Sequence, residues 1–470
     1  MDYAALRGRA EAHGQAHIFA FWDSLTVQEK EHLAAQAAGV DFALMERLVG
    51  ELGQVQAPAG DLMQRLRPAP VIALPKTPRE ARAAHAARRA GEAALRAGRV
   101  GCFVVAGGQG TRLGLSGPKG TFDVGPVRKR SLFQLHAEKV MALRQRYGAA
   151  LPFVVMTSDA TDAATRAFFE EMFYLGMGEE TVRFARQDNM PAVGRDGKLL
   201  LESRSSLALS PNGHGGAIKA LKDSGALDWL RSQGVDTVFY FQVDNVLVRI
   251  CDPVFIGFHL EAGAEMSSKV SRKRDWRERL GVIGLLDGKT TVIEYSDLPD
   301  AEAQRTEPDG SLHWWAGSIA IHVLDLGFAE RLNAGGFQLP YHRAEKPVAC
   351  IGPDGAPVRL KAGEKNAIKF ETFIFDALPV ARAPVTLETD RASDFAPIKN
   401  ATGEDSPETA RAALTELWAR WLTAAGHKLP RRPDGTLDCR LDISPLTSLE
   451  GENLKKLKIA PIKPGSDVAV

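Results

Sequence analysis

Four cysteines are all that 470 residues contain, and Cys102, Cys251, Cys350 and Cys439 make no CxxC pair. That scarcity excludes a disulfide-stapled scaffold and a structural zinc site, and it fits a reducing cytoplasm. Net charge is nearly absent too, at +1, so no bulk field calls for nucleic acid or a membrane surface. No run approaches the ~18 apolar residues of a membrane span, and the opening MDYAALRGRAEAHG lacks the apolar core of a secretory signal. There is no GxSxG, HExxH or GxxxxGK[ST] pattern, which removes the hydrolase elbow, the zinc protease helix and the P-loop. Internal repeats and low-complexity tails are missing as well.

What is present is ordinary globular composition, 44% hydrophobic and 25% charged, in a chain long enough for two or three domains. Residues 1–98 read as a helical region. SLTVQEKEHLAAQAAGVDFALMERLVGEL begins with a Ser/Thr cap and repeats apolar residues at helical spacing, APAGDLMQRLRPAPVIALPKTP is a proline-rich connector, and PREARAAHAARRAGEAALRAGRV is a helix ending at a glycine. From 99 to 385 the pattern changes. GCFVVAGG, LPFVVMTSD, TVFYFQVDN and RLGVIGLL are short apolar runs, with helical stretches such as SLFQLHAEKVMALRQRYG between them. This alternation predicts an α/β fold whose central sheet is mainly parallel, and ligands of such sheets bind beyond the carboxyl ends of the strands. Residues 386–470 read as a small C-terminal domain: APVTLETDRASDFAPIKN extended, SPETARAALTELWARWLTAAG helical, CRLDISPLTSLEGENLKKLK extended again.

The strand end at 103–125, FVVAGGQGTRLGLSGPKGTFDVG, carries the strongest signal. Gly107, Gly108 and Gly110 leave thin backbone that presents N–H groups to an anion or a base edge. Gly108, Gly110 and Gly114 give GxGxxxG, one residue longer than the dinucleotide fingerprint. Arg112 and Lys119 follow within a dozen residues and suit a triphosphate, and Pro118 favours an extended approach to Lys119. Asp244, after TVFYFQV, ends another strand as an oxygen ligand suited to Mg²⁺.

AGGQGTRLGLSGPKGTFDVG resembles the signature of the UDP-N-acetylhexosamine pyrophosphorylases, within the wider UTP:sugar-1-phosphate uridylyltransferase family. The likeness covers nearly the whole chain: QDNMPAV, SPNGHGGAIKAL, VDN, VIEYSD, WAGSIAIH, AIKFETFIFD, FAPIKN and DISPLTSLEG follow in the family order, and FAFWDSLTVQEKEHL resembles its N-terminal helix. The resemblance implies a central mixed, mainly parallel Rossmann-like nucleotidyltransferase sheet of the GT-A type. The implied reaction is attack of a sugar-1-phosphate oxygen on the α-phosphorus of UTP, with Mg²⁺ as cofactor and pyrophosphate and a UDP-sugar as products. The implied chain is a monomer or weak homodimer.

By that resemblance Arg112, Lys119 and Lys369 are catalytic. Ala106, Gly107, Gly108, Gln187, Gly213, Asp244 and Lys346 bind the nucleotide, with Asp244 also on the metal and Asn245 positioning it. His214, Glu294, Tyr295 and Ser318 contact the sugar, and Lys399 is a further phosphate candidate. On residue type alone Gln187 is a surface amide, Lys346 and Lys369 are solvated lysines, and Glu294 and Tyr295 are strand residues. Two positions depart from the N-acetylhexosamine branch, where His214 and Ser318 are both usually Asn. A Gly-His-Gly run resembles the UDP-glucose branch, so UDP-glucose or broad UDP-sugar synthesis is the alternative. Two other classes are a nicotinamide oxidoreductase, opposed by the glycine spacing, and a non-catalytic nucleotide-sugar sensor, opposed by the joint presence of Arg112, Lys119, Asp244 and Lys369.

Overall fold

The computed structural model describes residues 2–51, 63–337, 339–457 and 459–470. The proline-rich connector expected at 57–78 lies partly outside them. The chain forms two compact units. The smaller takes Met1–Pro58, Gln187–Gly216 and Gln338–Asp376, and the larger takes Ala59–Arg186, Ala217–Phe337 and Ala377–Val470. Six separated segments thus make up the units, where the sequence reading divides the chain into consecutive stretches at 98/99 and 385/386.

In the smaller unit the long N-terminal helical run breaks in two, α1 (Val27–Gly39) and α2 (Phe42–Gly50). Thr26 and Glu29 close a capping box on α1, and the Asp41 side chain accepts from Leu44 N–H to start α2. A capping aspartate in the middle of a helical pattern restarts the helix, because its carboxylate satisfies an otherwise orphaned N–H. The apolar faces of these helices pack with Val193, Leu199, Leu207 and Phe370. A small antiparallel sheet joins Val193–Gly194, Ala367–Glu371 and His342–Lys346.

The larger unit holds a ten-stranded mixed sheet: β1 (Leu66–Pro68), β2 (Val100–Val105), β3 (Phe153–Thr157), β4 (Val182–Arg186), β5 (Thr237–Gln242), β6 (Met266–Arg272), β7 (Val282–Leu286), β8 (Lys289–Ile293), β9 (Ala316–Asp325) and β10 (Val385–Glu388). Strands β5, β2, β3 and β4 run parallel in that order. Antiparallel β9 sits between β5 and β6, and β7 with β8 and β1 extends the other side. All six residues of β2 are buried, as a strand covered on both faces requires. The four apolar runs read from the sequence are β2, β3, β5 and β7. Helices α3 (Pro78–Arg96) and α4 (Leu132–Tyr147) match their predicted spans, and α5 (Pro253–Glu261) crosses α3 at close range. A Cβ on Gly91 would lie 1.9 Å from the Pro253 carbonyl oxygen, and one on Gly257 1.7 Å from that of Ala87, so the two glycines permit the backbones to touch.

The C-terminal stretch is a helix, α6 (Pro407–Ala424), followed by much less extended chain than expected. Among its described residues Cys439–Asp442 forms a strand, parallel to a second strand at Ser466–Ala469. Beyond it Pro445, Gly451 at φ 89° and Asn453 at φ 69° impose turns that no strand accommodates. Val385–Glu388, ahead of α6, belongs to the central sheet. No helix among the described residues is long and apolar enough to cross a membrane.

A buried ion cluster ties β6 to the segments around Asp252 and Asp394. Lys269 on β6 is wholly buried, and its ammonium contacts Asp394 and lies 2.9 Å from Asp252. Asp394 also accepts from Arg249 N–H at 2.7 Å and the Thr389 hydroxyl at 2.8 Å, and Asp252 caps α5. Burial alone would raise the Asp252 carboxyl, yet Arg249 and Lys269 outweigh it and hold the group well below the ordinary carboxylate range. Removing the Lys269 ammonium strands the buried Asp394 carboxylate and leaves Asp252 with Arg249 alone, at 3.6 Å. Lys269→Met is expected to destabilise the fold by about 3–5 kcal/mol, read as a lower urea midpoint of tryptophan fluorescence. An unchanged midpoint would show that the cluster is not a structural element.

Candidate functional site

The carboxyl ends of β2 and β5 lie side by side, since Val105 and Gln242 are register partners. From β2 the chain runs through buried Ala106 and Gly107 to exposed Gly108, which has open space where a side chain would stand. The loop then folds back on itself. Gly110 N–H donates to Gly117 O at 2.9 Å and Lys119 N–H to Gly108 O at 3.0 Å, while the Ser158 hydroxyl donates to Gly107 O at 2.7 Å. Pro118 is extended, at φ −60° and ψ 135°. Arg112 is exposed on the short turn Thr111–Leu113 and makes no ion pair with the described residues.

Asp244 stands two residues beyond β5. The Lys119 ammonium donates to its Oδ2 at 2.7 Å, with each side chain 17% exposed. The aspartate's backbone is pinned on both sides. Ile398 N–H donates to Asp244 O at 3.0 Å, and Asn245 bridges to Asp394 O and Ala396 N–H at 2.8 and 2.9 Å. One residue earlier, buried His136 donates from Nε2 to Val243 O at 2.8 Å; burial and the Lys139 charge push that imidazole down to about 3, so it is neutral. These bonds also bring the backbone of Lys399 next to that of Asp244.

Ser318 and Glu294, which the resemblance directs to the sugar, meet at Gly281. Its carbonyl accepts from Ser318 N–H at 2.8 Å, and a Cβ there would come within 3.2 Å of the Glu294 carboxylate. Tyr295 is 47% exposed and borders a cavity of about 180 Å³ with Lys273, Trp276, Arg277 and Arg279. None of these four stood out in the sequence.

In the smaller unit Gln187 follows β4. It is 6% exposed and its Oε1 has no hydrogen-bond partner among the described residues, so the surface-amide reading fails. The loop 212–216 lies directly on the end of the strand Ala367–Glu371. Thr372 N–H donates to Asn212 O at 2.7 Å and Gly215 N–H to Thr372 O at 2.8 Å. A Cβ on Gly213, at φ 85°, would fall 2.4 Å from Thr372 O, so only glycine fits. His214 stacks on Phe373 at 5.3 Å and meets Phe375 edge-on at 5.7 Å. Its Nδ1 accepts from Ile374 N–H at 3.3 Å, which leaves the proton on Nε2. Burial and nearby His342 push the imidazole down to about 4, so it is a neutral donor at pH 7. Lys346 and Lys369 share one face of their strand pair, because Lys346 pairs with Ala367 and Ala344 with Lys369. Phe373, Phe375 and the His342–Asp376 contact at 2.8 Å were missed: the sequence marks them only as a strand-like aromatic alternation.

Residues 91–403 match the family model described as UTP–glucose-1-phosphate uridylyltransferase. The chain belongs to this family. It is 34% identical to the UDP-N-acetylglucosamine pyrophosphorylase of Saccharomyces cerevisiae, over 95% of each chain. It is 36% identical to the human UDP-N-acetylhexosamine pyrophosphorylase-like protein 1, over 96% of this chain and 94% of that one. The uridine diphosphate N-acetylglucosamine pyrophosphorylase from Trypanosoma brucei, solved in complex with an inhibitor, superposes with a TM-score of 0.81 at 27% identity, over 99% of this chain and 98% of that one.

The orphaned oxygen of Gln187 has a measurable cost. A buried unpaired acceptor carries a desolvation penalty of about 1–3 kcal/mol. Gln187→Met keeps the volume and removes that acceptor, so thermal stability is expected to hold or rise by up to about 1 kcal/mol. A clear drop in melting temperature would mean that the oxygen already has a partner in the free protein.

Proposed function

We propose that the protein transfers the uridylyl group of UTP to N-acetylglucosamine-1-phosphate, releasing pyrophosphate. The observation that carries this reading is the Lys119–Asp244 pair at the carboxyl ends of adjacent parallel strands. It sets a cation and a metal-type oxygen ligand at the position where sheets of this kind hold phosphates. The thin backbone of Ala106, Gly107 and Gly108, Gln187 and Gly213 are assigned to the nucleotide. A uracil imide would supply the donor that Gln187 Oε1 lacks.

In this reading a phosphate oxygen of the sugar-1-phosphate forms the new bond to the α-phosphorus, in line with the departing β-phosphate oxygen. The sugar phosphate is already ionised at neutral pH, so no general base is needed. Arg112, Lys119, Lys346 and Lys369 hold and neutralise the phosphate oxygens as charge shifts to the leaving pyrophosphate. His214, as a neutral Nε2–H donor, with Glu294, Tyr295 and Ser318, orients the sugar.

No group of three His, Cys, Asp or Glu among the described residues could hold a metal by itself. A lone strand-end carboxylate nevertheless fits Mg²⁺, which is commonly bound by one or two carboxylates plus substrate phosphates. Asp244 would hold the ion, which supplies charge neutralisation at the phosphates. The four cysteines are free and buried, which supports a reducing, cytoplasmic setting, and the chain is read as a monomer or weak homodimer.

Pyrophosphate release is expected only with UTP, a sugar-1-phosphate and a divalent cation together. Lys119→Ala should lower kcat by roughly two orders of magnitude while the melting temperature stays close to that of the parent. Equal turnover in EDTA would remove the metal, and a near-normal rate in folded Lys119→Ala would remove the lysine.

The second reading, glucose-1-phosphate as substrate, is favoured by His214 and Ser318, which stand where two amides are usual in the N-acetylhexosamine branch. Relaxed selectivity is therefore expected, with N-acetylglucosamine-1-phosphate best and glucose-1-phosphate a measurable second. His214→Asn/Ser318→Asn should move the kcat/KM ratio toward the acetamido sugar. Activity on glucose-1-phosphate alone, unmoved by the double substitution, would assign the chain to the other branch.

A further inference from the structure

The carboxyl end of β3 lies beside that of β2, with Val105 and Met156 as register partners. Ser158 is the next residue after β3, and uridylyl transfer as set out above gives it no role. It is buried, as is Thr161 in the turn that follows. The two residues form a closed relay of hydrogen bonds. Ser158 N–H donates to Thr161 Oγ1 at 3.1 Å, and the Ser158 hydroxyl donates to the Gly107 carbonyl at 2.7 Å. The two hydroxyl oxygens are 3.0 Å apart. The single Ser158 hydrogen is engaged by Gly107, so Thr161 is the donor across that contact. A hydroxyl that accepts while it donates is the stronger donor for it.

This relay sets the direction of a backbone donor in the glycine loop. The peptide bonds of the described residues are trans, so each carbonyl and the N–H that follows it point in opposite directions. Glycines on both sides leave the Gly107–Gly108 peptide free to rotate. Holding its carbonyl on buried Ser158 turns the Gly108 N–H the other way, to the exposed side of the loop. Gly108 is held at its other end too, by Lys119 N–H on its carbonyl at 3.0 Å. Between these two anchors the Gly108 N–H has no acceptor among the described residues.

We propose that Ser158 is a positioning residue for the nucleotide: it orients the Gly107–Gly108 peptide so that the Gly108 N–H donates to a carbonyl oxygen of the uracil. The inference rests on the uridylyltransferase reading, which assigns this backbone to the nucleotide. Within the loop the charged side chains Arg112 and Lys119 serve the phosphates, and a neutral N–H matches a neutral carbonyl. Ser158 lies behind the loop and touches no substrate. Its loss frees the peptide to turn. The base contact is the same in the ground and transition states, so the cost falls on nucleotide binding rather than on the chemical step.

The test compares wild type with Ser158→Ala in steady-state turnover of the full chain, using UTP, 2-thio-UTP and 4-thio-UTP, in which a weakly accepting sulfur replaces one carbonyl oxygen. Ser158→Ala should raise KM for UTP about tenfold, the scale of one aligned hydrogen bond, with kcat within about twofold of wild type. Wild type should favour UTP over one of the two thio analogues, and Ser158→Ala should shrink that preference at least about threefold. A general loosening of the fold would not move this ratio. Thr161→Val keeps the shape and removes the second hydroxyl, so it should shift KM and the ratio in the same direction by a smaller factor. In the reverse reaction Ser158→Ala should raise KM for the UDP-sugar and leave that for pyrophosphate unchanged. An unchanged KM for UTP, a thio preference that neither variant moves, or an equal rise in KM for pyrophosphate would each overturn the inference and leave the uridylyltransferase reading standing. A wild type that turns over no UTP would sink both.

Discussion

One buried ammonium ties together the segments that hold the carboxyl end of β5 in place. Lys269 has no exposed surface, and its two carboxylate partners come from chain segments on either side of it: Asp252 at the start of α5, and Asp394 after β10. Through Asp394 the charge reaches Arg249 N–H and, by the backbone carbonyl of the same residue, Asn245. Asn245 fixes Ala396, and Ile398 fixes the carbonyl of Asp244. A flexible strand end would let the Asp244 carboxylate wander, whereas this chain of bonds presents it to Lys119 at hydrogen-bond distance. Positioning of this kind contributes most of the rate in phosphoryl-type transfer, where there is little covalent chemistry for a protein to perform.

His214 and Gln187 follow the same economy. His214 accepts one N–H and keeps the other nitrogen as a donor. Gln187 is buried with an oxygen unpaired among the described residues, an arrangement that costs stability. The glycines at 213 and 215 let the loop lie on Thr372 and Phe373 more closely than any side chain would allow.

Much of this was legible in the sequence because its signals are local. A six-residue apolar run ending in glycines reads as β2 and its loop, and an apolar run ending in Asp244 reads as β5, since burial on both faces leaves no polar alternation to confuse the period. Capping residues marked α1, although Asp41 was passed over as the start of a second helix. The segment after Cys439 reads as extended, whereas its Pro, Gly and Asn fix turns. What stayed hidden is non-local. Lys269 looks like any lysine in a strand until Asp252 and Asp394 are brought to it, and Phe373 and Phe375 become neighbours of His214 only because loop 212–216 docks on their segment.

The central claim is a single in-line displacement at the α-phosphorus, governed by placed charges and without a covalent enzyme intermediate. The most direct measurement is the stereochemical course with one diastereomer of uridine 5′-(α-thio)triphosphate as donor, read by ³¹P NMR of the UDP-sugar product. Direct attack by the sugar phosphate inverts the configuration at phosphorus, and inversion is the result predicted here. Retention would require two successive displacements through a uridylylated side chain, and it would contradict the account.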